Sequence, residues 1–141
     1  MDYQQESVNK LLIQKAIEAK QNAYAPYSNF RVGSALLTED DQIITGCNVE
    51  VSSYSLTICA ERNAIFKAYS DGVRKFKAIA IAADTQNYIS PCGACRQVIS
   101  DLCGNIDVIL INGNNEYQII KANELLPFAF SDKELNNRKQ T

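Results

Sequence analysis

The sequence predicts an α/β fold, a three-layer α/β/α sandwich built on a mixed sheet of five strands. Three observations carry that prediction. Segments with apolar residues at helical spacing alternate along the chain with short runs of strand character, the pattern of a sheet covered by helices. One run, "FKAIAIAA" at 76–83, is apolar at nearly every position, as a central strand buried on both faces must be. The chain has 141 residues, the size of one domain spanning 1–141, and a domain of that length needs no disulfide staples.

The elements follow in order. Residues 6–22 place Val8, Leu11, Leu12, Ala16 and Ala19 on one helical face, so the chain opens with an amphipathic helix. "YAPYSNF" breaks it, because Pro26 pushes Ala25 out of the helical region. "FRVGSALL" and "DQIITGCNVE" are two strands around the acidic turn "TEDD". A helix over 58–70 ends at Asp71-Gly72, and the buried strand 76–83 follows. "ISPCGACRQVISDLCG" is a second helix, with Pro91 near its first turn and Gly104 as its stop. "IDVILIN" and "EYQIIKA" complete the sheet, "NELLPFAF" adds a short helical turn, and a loose polar tail runs from about residue 132.

Composition excludes several kinds of chemistry. There are 16 acidic and 14 basic residues, for a formal charge of −2, and no Lys/Arg cluster. Nucleic-acid binders need a basic stripe for phosphate contacts, so a small neutral ligand fits better than a polyanion. The chain contains no histidine, which removes a Ser-His-Asp triad, a Cys-His pair and every His-containing metal site. Five cysteines, with no basic and apolar leader in "MDYQQESVNKLL", point to reduced thiols and a cytoplasmic protein. No apolar run approaches the ~20 residues that cross a bilayer.

The thiols then demand a use. In "PCGAC", Cys92 and Cys95 are three apart at a helix start, so both sulfurs can point to one side. Cys59 stands in the first turn of the other helix. Helix N-termini favour thiolates, and two of them aimed at one point would surround a cation with three sulfurs. Three protein ligands with a fourth position open is the arrangement of a catalytic zinc. Cys103 lies ~12 Å further along its helix than Cys95 and cannot reach the same ion, while Cys47 remains open as a further ligand. Glu61, ~200° round the helix from Cys59, is no co-ligand, but its carboxylate can move protons at the open position. Arg62 would offset the charge of three thiolates.

Each residue also has a plainer reading. A single buried cysteine is usually a small hydrophobe, and "PCGAC" alone also fits a dithiol redox pair, though that leaves Cys59 and Glu61 unexplained. Glu61 alone fits a favourable first-turn acid.

The combination of "CAE" with a later "PCGAC" is the signature of the zinc nucleobase deaminases. "YAPYSNFRVGSALLTEDDQIITGCNVE", "ICAERNAIFKAYSDG", "SPCGACRQVISDLC" and "ELLPFAF" closely resemble the small homotetrameric cytidine deaminases, in order and with matching gaps over about residues 8–135. The resemblance implies one zinc per subunit on Cys59, Cys92 and Cys95, and Glu61 as proton shuttle. It implies that Asn48 and Glu50 bind the ribose hydroxyls, and that Phe30 lies against the pyrimidine. The N–H of Ala60 and the carbonyl of Ser90 would contact the base, and Tyr54 would line the pocket. Phe130 would reach a neighbouring subunit's site.

The implied activity is hydrolytic deamination of cytidine and 2′-deoxycytidine, a pyrimidine-salvage reaction. Water activated by zinc attacks C4, while Glu61 protonates N3 and then the leaving amine. The implied partners are a nucleoside and further copies of the chain, not nucleic acid or membrane. Two positions depart from the family pattern: Val51 where Asn is common, and Phe128 where Gly is common. A related deaminase acting on blasticidin S is the nearest rival reading. A dithiol oxidoreductase and a non-catalytic zinc module are the others.

Overall fold

The computed structural model describes residues 3–132, and the polar tail expected from about residue 132 lies outside the described residues. Helix α1 (Tyr3–Lys20) leads into strands β1 (Val32–Thr38) and β2 (Ile43–Cys47). Helix α2 (Ala60–Ser70) precedes β3 (Phe76–Ala83), and helix α3 (Gly93–Cys103) precedes β4 (Asp107–Ile111). Strand β5 (Tyr117–Lys121) runs directly into the short helix α4 (Ala122–Leu125). The strands form one sheet in the order β2-β1-β3-β4-β5. β3 and β4 are parallel, with α3 as the crossover such a pair requires; the other neighbours are antiparallel. The expected α/β/α sandwich with a mixed five-stranded sheet is the fold observed.

Alternation along β3 divides the core. Ala78, Ala80 and Ala82 pack under α1 with Leu12, Ile13 and Ala16. Ile79 and Ile81 pack on the opposite face with Ala64, Ile65 and Ala68 of α2 and Ile99 of α3. "FKAIAIAA" is therefore the central strand, buried from Ala78 to Ala83.

Two glycines let the helices approach the sheet. A Cβ on Gly33 would stand 2.2 Å from the Ala16 carbonyl oxygen of α1. On the other face, a Cβ on Gly46 would stand 2.5 Å from the carbonyl oxygen of Ala60. The start of α2 is thus drawn onto β2, and Ser34 Oγ donates 2.8 Å to the same Ala60 carbonyl. Further along α2, Asn63 Nδ2 donates 2.7 Å to the Cys47 carbonyl and Lys67 Nζ 2.5 Å to that of Thr45. Those two side chains satisfy carbonyls of the edge strand β2, which a bare edge would leave open to another chain.

Three boundaries differ from expectation. α1 spans Tyr3–Lys20 rather than 6–22, because Gln21 and Asn22 already form tighter turns to Glu18 and Ala19. α2 starts at Ala60, with Cys59 as its N-cap in extended conformation. α3 starts at Gly93, so Ile89, Ser90 and Pro91 form a loop before the N-cap Cys92. Both helices stop where expected. Gly72 (φ 85°) follows α2, with Val73 N–H bonded 2.9 Å to Ala68 and Gly72 N–H 3.1 Å to Tyr69, and Gly104 (φ 78°) ends α3. No helix among the described residues is long and apolar enough to cross a membrane.

Candidate active site

The two extended N-caps set the geometry of the site. Cys59 begins α2 and Cys92 begins α3, so both helices present their first-turn N–H groups and positive dipole ends to one place. The Sγ atoms of Cys59, Cys92 and Cys95 all lie within 4.8 Å of one another, and those of Cys59 and Cys92 are 3.6 Å apart. Two sulfurs on one tetrahedral zinc, each bonded at ~2.3 Å, stand ~3.8 Å apart. The donor set and its spacing therefore fit zinc. Cys47 is outside this cluster. So is Cys103, whose thiol is pushed up to about 12 by burial near the end of α3.

The thiols share their protons unequally. Cys59 is held down to about 5, first by a hydrogen bond from the Cys95 thiol and then by Arg62 and Cys92. Cys95 is pushed up, chiefly because its proton bonds the Cys59 sulfur. Arg62 Nη2 donates to Cys59 Sγ at 3.4 Å, and the thiolate raises the guanidinium's own affinity for its proton. Cys92 Sγ accepts from the Cys95 backbone N–H at 3.4 Å, which caps α3.

A cavity of about 390 Å³ opens beside the sulfurs. Its wall includes Phe30, Asn48, Glu50, Ala60, Glu61 and Ser90, together with Cys59 and Cys92. Glu61 is 3% exposed. Burial pushes its carboxyl up, and the charge of Cys59 adds to that.

Other expected residues stand elsewhere. Tyr54 is 72% exposed and edge-on to Tyr27, lining a shallower depression next to the cavity. Phe130 is 49% exposed, its carbonyl held by Gln97 Nε2 at 2.9 Å, and its ring is not part of this cavity wall. Val51, exposed on the loop after β2, donates its N–H to Thr57 Oγ1 at 3.1 Å. Phe128 adopts a left-handed backbone (φ 57°), which explains why glycine suits that position.

Asn48 and Glu50 have structural partners that the sequence did not reveal. Asn48 Oδ1 accepts from Val32 N–H at 2.9 Å and its Nδ2 donates to the Phe30 carbonyl at 2.8 Å. Glu50 Oε1 accepts from the N–H groups of Tyr27 and Ser28 at 3.1 Å each, and Oε2 accepts from Ser28 Oγ. Ser28 and Arg96 were also missed. Arg96 donates from Nε to the Pro91 carbonyl at 2.9 Å and from Nη1 to that of Leu125 at 3.1 Å, tying the loop before Cys92 to α4. A polar residue after "APY" was the only sequence signal for Ser28. Arg96 carried none beyond its place next to Cys95.

A buried carboxylate beside three clustered thiols at paired helix starts, in a chain with no histidine, is a site that could hold zinc and serve hydrolytic chemistry. Residues 6–111 match the model of the cytidine and deoxycytidylate deaminase zinc-binding region, and the chain belongs to that family. It is similar to the cytidine deaminase of Sporosarcina psychrophila, 53% identical over 89% of this chain and 93% of that one. The cytidine deaminase of Halalkalibacterium halodurans is 50% identical over 91% of this chain and 98% of its own. Among solved structures, cytidine deaminase from Burkholderia pseudomallei superposes with a TM-score of 0.84 at 45% identity, covering 92% of this chain and all of that one.

Proposed function

We propose that this enzyme hydrolyses the amine of cytidine and 2′-deoxycytidine, giving uridine or 2′-deoxyuridine and ammonia. The observation that carries the reading is Glu61, buried in the same cavity wall as Cys59 and Cys92. Cys59, Cys92 and Cys95 would hold zinc, which supplies a Lewis acid and hence a nucleophilic water at neutral pH. Glu61 takes the proton of that water and delivers it to N3 of the base. It then carries the second proton to the amine at C4, so that ammonia leaves and the water oxygen stays on carbon. A carboxyl with a raised pKa suits both transfers, because it gains and loses protons nearer neutrality.

Phe30 stacks against the pyrimidine, and the first-turn N–H of Ala60 and the Ser90 carbonyl read its edge. Asn48 and Glu50 hold the sugar, which favours a nucleoside over blasticidin S. Arg62 balances the thiolate charge. The enzyme is a cytoplasmic homotetramer acting in pyrimidine salvage, with Phe130 completing a neighbour's site and Tyr54 near its rim. The exposed Tyr27 and Tyr54, which line the depression next to the cavity, support association, since exposed apolar surface of this kind is often covered in assemblies.

Loss of cytidine absorbance on incubation with purified protein tests the reading, run beside Glu61→Gln with zinc content assayed. The expected result is uridine from the wild type, and a variant that keeps zinc but loses about 10³-fold in kcat. Zinc present with cytidine untouched, or blasticidin S turned over faster, would overturn the substrate assignment.

A further inference from the structure

We propose that Ser28 is a positioning residue for sugar recognition, fixing the Glu50 carboxylate so that one acceptor position on Oε2 is left for a single sugar hydroxyl. This inference rests on the nucleoside reading above. It comes from counting donors and acceptors around the two residues assigned to the sugar. A carboxylate offers about four lone-pair positions. Oε1 of Glu50 is filled by two backbone N–H groups, from Tyr27 and Ser28. Oε2 accepts the one proton of the Ser28 hydroxyl. That hydroxyl cannot turn away freely, because it also accepts the Phe30 N–H at 3.0 Å. One position on Oε2 remains.

Asn48 keeps one donor and one acceptor position. Its Nδ2 has one of two hydrogens committed to Phe30, and its Oδ1 has one lone pair committed to Val32. A single hydroxyl can accept from an amide N–H and donate to a carboxylate at once. Asn48 Nδ2 and Glu50 Oε2 are therefore matched to one shared hydroxyl, and Asn48 Oδ1 keeps one lone pair that can accept from the second hydroxyl of a diol. Ser28 acts through Glu50 rather than on the reacting atoms. Its hydroxyl is also the main reason the Glu50 carboxyl is held below the usual range, with the N–H groups of Ser28 and Tyr27 adding to the effect.

Without the Ser28 hydroxyl, Oε2 loses its fixed donor and the carboxylate can rotate or take water in its place. Binding of the hydroxyl then weakens, while chemistry at C4 is unaffected.

The test compares wild type, Ser28→Ala and Ser28→Thr on cytidine, 2′-deoxycytidine and 3′-deoxycytidine, with a thermal melt of each protein. Wild type is expected to discriminate more strongly against one deoxy analogue, the one lacking the hydroxyl that Asn48 Nδ2 and Glu50 Oε2 share. Ser28→Ala should raise KM about tenfold for the two substrates that carry this hydroxyl, with kcat within about twofold, and leave the third unchanged. Ser28→Thr, which keeps the donor, should restore the wild-type pattern. An equal KM change on all three substrates would mean a merely structural role and overturn the proposal, as would no change on any. Should Ser28→Ala not fold, a Ser28→Thr enzyme that discriminates no better than twofold overturns it as well. Wild type inactive on all three substrates but active on another amine sinks the nucleoside reading itself, and the proposal with it.

Discussion

Arg62 Nη2 lies 3.4 Å from the sulfur of Cys59, one turn back on the same helix. The contact places a permanent positive charge against a cluster that carries up to three negative ones when it binds metal. The same arginine has its Nε buried without a hydrogen-bond partner, a cost of ~1–3 kcal/mol. A side chain held at that cost beside the sulfurs is expected to serve their charge. Arg62→Gln is therefore expected to weaken zinc binding about tenfold, in the range found when partners of metal ligands are removed. Competition against a chromophoric chelator measures it. An unchanged zinc affinity would remove Arg62 from the charge balance.

The buried carboxylate of Glu61 has a consequence for stability. Its folded pKa stands above the ordinary 4.5, chiefly through burial. Below the ordinary value both folded and unfolded chains hold the proton, and burial then costs no charge. As pH rises through the raised value, the unfolded chain has already released its proton and the folded chain must follow into an apolar site, so stability falls. In the metal-free protein, Glu61→Gln should match wild type near pH 4 and become progressively the more stable of the two towards pH 8. Denaturant titrations of chelated protein across that range check the sign. A gap that narrows with rising pH would mean that the carboxylate is better solvated than its 3% exposure implies.

Close approach of α1 to the sheet depends on Gly33. The added methyl of Gly33→Ala would meet backbone atoms, the Ala16 oxygen at 2.2 Å and the Lys20 nitrogen at 2.3 Å, so the helix itself must move. Moving it also disturbs Lys20, whose Nζ pairs with Asp84 at 3.0 Å just after β3. Overpacking of this kind costs ~1–3 kcal/mol, and backbone clash places it at the upper end. The expected fall in melting temperature is roughly 10 °C. A fall of under about 2 °C would show that α1 slides over the sheet freely.

How much of this was legible before the structure follows from the range of each interaction. "FKAIAIAA" announced its burial because strand periodicity is local, and Gly72 and Gly104 announced helix ends because a left-handed residue is local too. The spacing of Cys92 and Cys95 was equally readable. The meeting of Cys59 with that pair spans 33 residues and was legible only through the combined pattern, since nothing local aims α2 at α3. The strand order was not readable, because it rests on pairings between segments far apart in sequence. The start of α3 was misplaced for a physical reason. Ile89 and Pro91 look like a first turn, but the Pro91 carbonyl is taken by Arg96 and the loop stays extended to Cys92. The duties of Asn48 and Glu50 towards Phe30, Val32, Tyr27 and Ser28 were hidden for the same reason as the sheet order.

Phe130 tests whether sites are shared between subunits. Its backbone is held by Gln97, yet its ring is half exposed and outside its own cavity wall, so a contribution to catalysis is expected to be made across an interface. Phe130→Ala should raise KM for cytidine about tenfold, the scale of losing one aromatic contact of ~1.5 kcal/mol. Glu61→Gln should be nearly inactive. When the two variants are mixed and their subunits allowed to exchange, a site with Glu61 from one chain and Phe130 from the other becomes wild type in both respects. Random exchange into closed assemblies creates such sites at about one quarter of positions. Assayed at low cytidine, the mixture should gain activity well above the mean of the separate variants. No gain after exchange, with hybrid assemblies verified by native mass spectrometry, would place Phe130 in its own subunit and make each site self-contained.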